Sequence, residues 1–520
     1  MSVIHTLKTK TMKSIICHTL LLASATATLA GCSEDKPILT DRNLEGTTEF
    51  LKSTDAAKQD IYYKPAVGFV GDPMPFYDPV AGDFKILYLQ DYRPNQAVTY
   101  HPIWGVSTTD AAGYTSLGEL IPCGAANELD AALGTGSTIY HDGTYYTFYT
   151  AHSPNPASTS GINEAVMLAT SSDFKSWTKN RTVLVTGGDK YSNADFRDPF
   201  VFRGDDNMFH MLVSTRLNGK GVLAEYTSSD LLEWTDAGVF MTMMWDRFYE
   251  CPDVFRMGDW WYLVYSEQHD AIRRVQYFKG RTLDELKACT ANDAGLWPDA
   301  HEGYLDSRGF YAGKTASDGT DRYIWGWNAT KAGNVITGNA DWAGNLVAHK
   351  LIQHPDGTLT IGEVPAIASI LGNAKTLDGF SLNADESKLM PRLGTENRLT
   401  FTITANPGDR FGLSFGRGSD SMSYGTLMFN PEGDGNMKIN LEQEGPEGAG
   451  FIQFADSYVF KAPADGVYNI TVVTDNSVLT LYINDCLGYT TRLYGTARNC
   501  WSVNCYTGNL AVSEIKVQSK

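Results

Sequence analysis

Three acids stand in apolar surroundings where an acid needs a reason to be. Asp72 lies in Phe69-Val70-Gly71-Asp72-Pro73-Met74-Pro75, and Asp198 in Phe196-Arg197-Asp198-Pro199-Phe200-Val201-Phe202. Glu250 lies in Phe248-Tyr249-Glu250-Cys251-Pro252-Asp253-Val254-Phe255. The chain has 60 acidic residues, so a single Asp-Pro pair reads as a capped turn. Three acids in matching contexts, each ahead of an aromatic run, suggest a shared site. Carboxyl groups that face one another suit glycosidic bond cleavage, one as nucleophile or base and another as acid. Phe248, Tyr249 and Cys251 predict an apolar setting for Glu250, which favours a protonated acid.

The elements that must position these acids repeat along the chain. Residues 84–90 (FKILYLQ), 145–150 (YYTFYT), 208–215 (MFHMLVST), 260–266 (WWYLVYS) and 322–327 (RYIWGW) are short and apolar, and each follows a Gly, Asp or Asn turn. This is strand and turn punctuation. A second strand with small residues follows, as at 104–109, 166–171 and 222–227. Two of these run into near copies, Ser171-Ser172-Asp173-Phe174-Lys175-Ser176-Trp177 and Ser228-Ser229-Asp230-Leu231-Leu232-Glu233-Trp234. A period of roughly 50–60 residues points to radially repeated sheets. Five repeats predict an all-β, five-bladed β-propeller over 61–370, with the acids at the starts of repeats and converging on its axis. From 371 to 520 alternating strands such as 398–404, 468–474 and 478–484, separated by Gly-rich loops, predict an antiparallel β-sandwich.

The charge narrows the partners. The chain carries −18, and loss of Lys8, Lys10 and Lys13 with a cleaved leader takes it to −21. Such a surface repels phosphate backbones, so nucleic acid is not an expected partner and a neutral carbohydrate is. Lysines precede an apolar stretch that ends Leu29-Ala30-Gly31-Cys32. Residues 1–31 are expected to be an export leader resembling that of a bacterial lipoprotein, with Cys32 lipidated and 32–60 a tether. The resulting expectation is a monomer, lipid-anchored to the outer membrane and facing the exterior. No C-x-x-C or H-E-x-x-H occurs, and no cofactor or metal is expected. Gly313-Lys314-Thr315 imitates the end of a P-loop, but Arg308 stands at its required first glycine.

Beyond the three acids, the sequence resembles glycoside hydrolase family 32, the retaining β-fructosidases. Arg197-Asp198-Pro199 looks like that family's R-D-P motif, Glu250-Cys251-Pro252-Asp253 its E-C-P-D, and Asp72-Pro73 its nucleophile loop. Leu87-Tyr88-Leu89-Gln90, Trp104-Gly105, Thr135-Gly136-Ser137, Phe310-Tyr311-Ala312, Gly326-Trp327 and Trp342-Ala343-Gly344 follow the family order. The resemblance implies Asp72 as nucleophile, Glu250 as acid/base and Asp198 as transition-state stabiliser, with Arg197 binding sugar hydroxyls. It also implies Gln90, Trp104, Thr135, Ser137 and Trp327 as substrate-binding residues. Phe69, Gly71, Met74 and Pro75 stand where the nucleophile loop usually has Trp and Asn, and Val106 replaces a His. Two other readings stay open: an inverting arabinanase or xylosidase on a related propeller, and a non-catalytic glycan-binding protein.

Overall fold

The computed structural model describes residues 61–92, 101–180, 182–243, 247–268, 273–289, 303–417, 425–444, 451–485 and 487–520. The expected leader, Cys32 and the tether lie outside them.

Five antiparallel blades follow one another in a propeller, each running from an inner strand outward, and the first and last are joined in one 8-stranded sheet. Blade one is Phe69–Asp78, Asp83–Asp91, Ile103–Thr108 and Thr115–Ile121. Blade two is Ala132–His141, Thr144–His152, Glu164–Ser171 and Thr178–Lys179. Blade three is Phe196–Arg203, Phe209–Leu217, Lys220–Ser228 and Thr235–Thr242. In blade four the described strands are Tyr249–Met257, Trp260–Glu267 and Val275–Gly280, followed by the helix Leu283–Ala288. Blade five is Tyr311–Ser317, Arg322–Lys331, Ala340–Gln353 and Leu359–Gly362. It meets blade one where Val70 pairs with Gly344.

This order corrects the expected repeat. The aromatic runs are the second strands, and the small-residue strands are the third. The segments carrying the acids are not turns but the inner strands themselves. Their Gly and Pro residues break any strand pattern, and burial on both faces removes the alternation that marks a strand. The near copies beginning at Ser171 and Ser228 are turns at the ends of third strands. Asp173 accepts from the Lys175 and Ser176 amides at 2.9 and 2.8 Å, and Asp230 from those of Leu232 and Glu233, both at 2.9 Å. Asp110 does the same in blade one, with 3.1 Å bonds from Ala112 and Gly113.

The remaining strands form two packed sheets. One has the order Lys375–Thr376, Asn509–Ser519, Glu396–Ala405, Val467–Asp475, Val478–Ile483, Leu487–Arg492, with Phe380–Asn383 also on Asn509–Ser519. The other runs Ser387–Arg392, Cys500–Cys505, Phe411–Arg417, Gly425–Glu432, Asn436–Glu444, Phe451–Lys461. Leu399, Phe401 and Ile403 alternate inward to meet Phe415, Leu427, Ile439, Trp501 and Val503, all buried. Apolar burial on this scale is the main stabilising contribution.

Propeller and sandwich share polar contacts as well as core. Asp475 accepts from the Ile61 and Tyr62 amides, both at 3.0 Å. The buried Arg492 guanidinium donates to the Ala329 and Asn328 carbonyls at 2.6 and 2.9 Å, and to Asn345 Oδ1 at 2.6 Å. His349 and Asp306, both fully buried, pair at 3.0 Å, and Tyr482 of the sandwich joins His349 at 2.8 Å. Buried polar groups on this scale are tolerated because each has a partner.

Candidate active site

Each inner strand breaks register at the same place. The interruptions fall between Gly71 and Met74, Gly134 and Gly136, Arg197 and Phe200, Glu250 and Asp253, and Tyr311 and Lys314. These are β-bulges, which re-aim side chains and concentrate near active sites. Asp72, Asp198, Cys251 and Ala312 occupy the first bulge position with φ of 26°, 60°, 54° and 55°. A proline follows in three of them, tolerated because a bulged residue needs no ladder N–H. Blade two has the single residue Thr135 there. A Cβ on its neighbour Gly136 would stand 1.8 Å from the Phe148 carbonyl oxygen, so only glycine fits.

Glu250 is therefore not the counterpart of Asp72 and Asp198. It precedes its bulge, level with Gly71, Gly134, Arg197 and Tyr311. Both kinds of position reach one site, where Arg197 meets Glu250 and the Cys251 amide meets Asp198.

Neighbouring blades hold each carboxyl. Trp327 of blade five donates its indole N–H to Asp72 Oδ1 at 2.9 Å. Asp198 accepts the Cys251 amide of blade four at 2.8 Å, and its own amide donates to Thr150 Oγ of blade two at 2.8 Å. Glu250 accepts from Arg197 Nη2 at 3.1 Å, Gln268 Nε2 at 3.1 Å and the Tyr311 hydroxyl at 2.7 Å. The apolar setting expected for the Glu250 carboxyl is thus replaced by three polar donors. Phe248 instead packs under Arg197, whose guanidinium carbon lies 4.2 Å from its ring centre.

Asp72 and Asp198 are both shifted. Burial pushes Asp72 up to about 6, with the nearby Glu250 charge adding to this; the Trp327 hydrogen bond, Lys314 and Arg273 act against it. Burial and Glu250 also raise Asp198, opposed by Arg197, Lys314 and the Cys251 amide. That the Glu250 charge raises both is what a cluster of like charges gives.

The expected binding residues divide. Trp327 and Arg197 touch the carboxyls directly, Arg197 through bonds to Glu250, Glu164 at 3.3 Å and Asp195 at 3.0 Å. Thr135 is buried and accepts from Lys314 at 3.3 Å. Ser137 is a brace between blades: its hydroxyl donates to the Pro199 carbonyl at 3.0 Å and accepts the Val201 amide at 2.9 Å. Gln90 is buried and donates to the Val67 carbonyl at 2.5 Å. Trp104 sits on a third strand, paired with Tyr88 and Glu119 and edge-on to Tyr92.

Tyr311, Gln268, Arg273 and Trp342 were not singled out as site residues. Arg273 lies over the Tyr311 ring at 3.8 Å and near Trp327 at 5.6 Å. Trp342 leans on Trp327 at 6.1 Å and stacks on His101 at 4.2 Å. The signal for Tyr311 is its level with Glu250, which appears only once the inner strands are aligned.

Three carboxyls at a propeller axis, each braced from another blade and ringed by Trp, Tyr and Arg, define a carboxylate-dependent glycoside hydrolase. The N-terminal domain model of glycosyl hydrolase family 32 matches residues 62–361, and that of the BT1760-like C-terminal domain of the same family matches 357–517. The chain belongs to glycosyl hydrolase family 32. It is similar to sucrose-6-phosphate hydrolase of Staphylococcus xylosus, 22% identical over 70% of this chain and 73% of that one. It is also similar to raffinose invertase of Escherichia coli, 23% identical over 84% and 90%. Among solved structures, fructan 1-exohydrolase IIa of Cichorium intybus superposes with a TM-score of 0.73 at 15% identity, over 89% of this chain and 97% of that one.

Proposed function

We propose that the protein cleaves β-fructofuranosidic bonds of fructans or fructo-oligosaccharides with retention of configuration. The observation that carries this is the bracing of Asp72, Asp198 and Glu250 around one axis, in a chain whose relatives are sucrose and raffinose hydrolases. The Asp72 carboxylate attacks the anomeric carbon while the glycosidic C–O bond breaks, and Glu250 gives its proton to the departing oxygen. Glu250 then takes a proton from water, whose oxygen displaces Asp72 and releases fructose. Asp198 stabilises the positive charge that develops on the furanose ring. Arg197 and Tyr311 orient Glu250, and Trp327 orients Asp72.

The altered nucleophile loop has a steric counterpart. A Cβ at Gly71 would lie 2.3 Å from the Trp342 ring, so the indole fills the space that a larger residue beside the nucleophile would need. The sugar then meets an aromatic wall there rather than an amide, and fructan chains suit this better than a small polar aglycone.

The leader, Cys32 and the tether support a lipid-anchored monomer on the outer membrane, facing the exterior and placed to meet polymeric substrate. Among the described residues no helix is long and apolar enough to cross a membrane.

The test is purified protein incubated with levan, inulin, sucrose and arabinan, with product analysis and NMR of the fructose anomer first released. Release of β-fructose from a fructan is expected. Arabinan cleavage, or first release of the inverted anomer, would overturn the reading.

A further inference from the structure

We propose that Lys314 is a positioning residue of this site, its ammonium group reaching across the propeller axis to supply the counter-charge against which the axial carboxyls ionise. This rests on Asp72 as the nucleophile. Lys314 belongs to the inner strand of blade five, yet its Nζ donates to Thr135 Oγ at 3.3 Å and the Gly136 carbonyl at 2.7 Å, both on blade two. Blades five and two are not neighbours, so the side chain crosses the axis. Lys314 is 1% exposed. Both of its acceptors are uncharged, and it forms no ion pair among the described residues.

A buried ammonium without a paired carboxylate costs several kcal/mol unless the surrounding field favours it. Asp72 of blade one, Asp198 of blade three and Cys251 and Asp253 of blade four all feel the Lys314 charge. The remaining charges facing these groups are accounted for. Arg197 and Glu250 face Asp198, Arg273 and Glu250 face Asp72, and Arg322 faces Asp253. Without Lys314 the axis holds several acids around one small volume, and at neutral pH some stay protonated. Arg197 is already engaged by Glu164, Asp195 and Glu250. Lys314 is thus the fully buried cation shared by Asp72 and Asp198. The Gly313-Lys314-Thr315 run that imitates a P-loop acquires another meaning: the glycine completes the Ala312-Gly313 bulge, and the lysine after it is aimed across the axis.

The experiment is the pH profile of kcat/KM for wild type, Lys314→Gln and Lys314→Arg on whichever fructan the wild type hydrolyses. Lys314→Gln keeps a donor and loses the charge; its acidic limb should move up by about one pH unit. Lys314→Arg keeps the charge, and its limb should stay within about 0.3 unit even if the rate falls. An unmoved limb in Lys314→Gln, with activity lower at every pH, would mean a packing role and overturn the proposal. A thermal-melting cycle of Lys314→Gln, Asp198→Asn and the double variant covers a failure to fold. Removing both charges should cost less than the sum of the single losses, or restore a folded protein; additive losses or a still-unfolded double variant would reject the counter-charge. A wild type inactive on every fructan removes the functional reading, while the melting cycle still decides on Lys314.

Discussion

The indole N–H of Trp327 meets Asp72 Oδ1 at 2.9 Å, so a carboxyl from the first blade is held by a side chain from the last. This bond favours the ionised form of Asp72 and opposes the burial that pushes the carboxyl up to about 6. Trp327→Phe keeps the ring and removes the donor. It should cost about 10- to 100-fold in kcat/KM, as expected for a hydrogen bond to a charged group. The acidic limb of the pH profile should move upward. A limb that stays in place would separate Trp327 from the ionisation of Asp72.

The roles of the acids separate by substrate. Glu250→Ala should lose about 10²- to 10⁴-fold on a natural fructan, where the leaving oxygen needs a proton. On an aryl fructoside with a good leaving group, the first step should keep much of its rate. Asp72→Ala should suffer alike on both, because the covalent intermediate cannot form. Single-turnover kinetics would show the contrast; equal first-step losses for Glu250→Ala would remove it as the acid.

Asp72 also has a stability consequence whose sign is unusual for an aspartate. Its folded value of about 6 lies above the ordinary 3.8. The folded state therefore prefers the protonated acid, a contribution fully present below about pH 4 and lost as pH rises through about 6. Asp72→Asn should raise the thermal midpoint at pH 7.5 by the equivalent of about 3 kcal/mol, while abolishing turnover. That gain should vanish near pH 4. Scanning calorimetry at both pH values checks it, and a destabilised variant at pH 7.5 would contradict it.

Cys32→Ser tests the anchor. Membrane fractionation of cells expressing the full chain should move the protein from the envelope pellet to the soluble fraction. A wild type already wholly soluble would remove lipidation.

Much of the candidate site was legible in the sequence because Asp72, Asp198 and Glu250 stand among apolar sequence neighbours, each ahead of an aromatic run. The strands that carry them were not legible. Asp72-Pro73, Asp198-Pro199 and Cys251-Pro252 look like turns, and only the ladder shows a bulge inside a buried strand. The partners of Glu250 were harder still. Gln268 and Tyr311 are 18 and 61 positions away, and no local pattern links them. Ser137 has a bracing role that its motif position does not show, since its hydroxyl joins two strands. The sandwich was the easier half, because Leu399, Phe401 and Ile403 face a core on one side and Thr400 and Thr402 do not.

The ring is closed by segments far apart in the chain. Ile61 depends on Asp475, 414 positions later, and Asp72 on Trp327, 255 positions later. Contacts this distant in sequence carry a large loop-closure cost and form slowly. On a chain made from its N-terminus, Asp72 is among the first of the carboxyls to emerge and the last to find all its partners. Hydrolytic competence is then a property of the closed ring: a chain cut short before Trp327 carries all three acids and lacks the partner that holds Asp72.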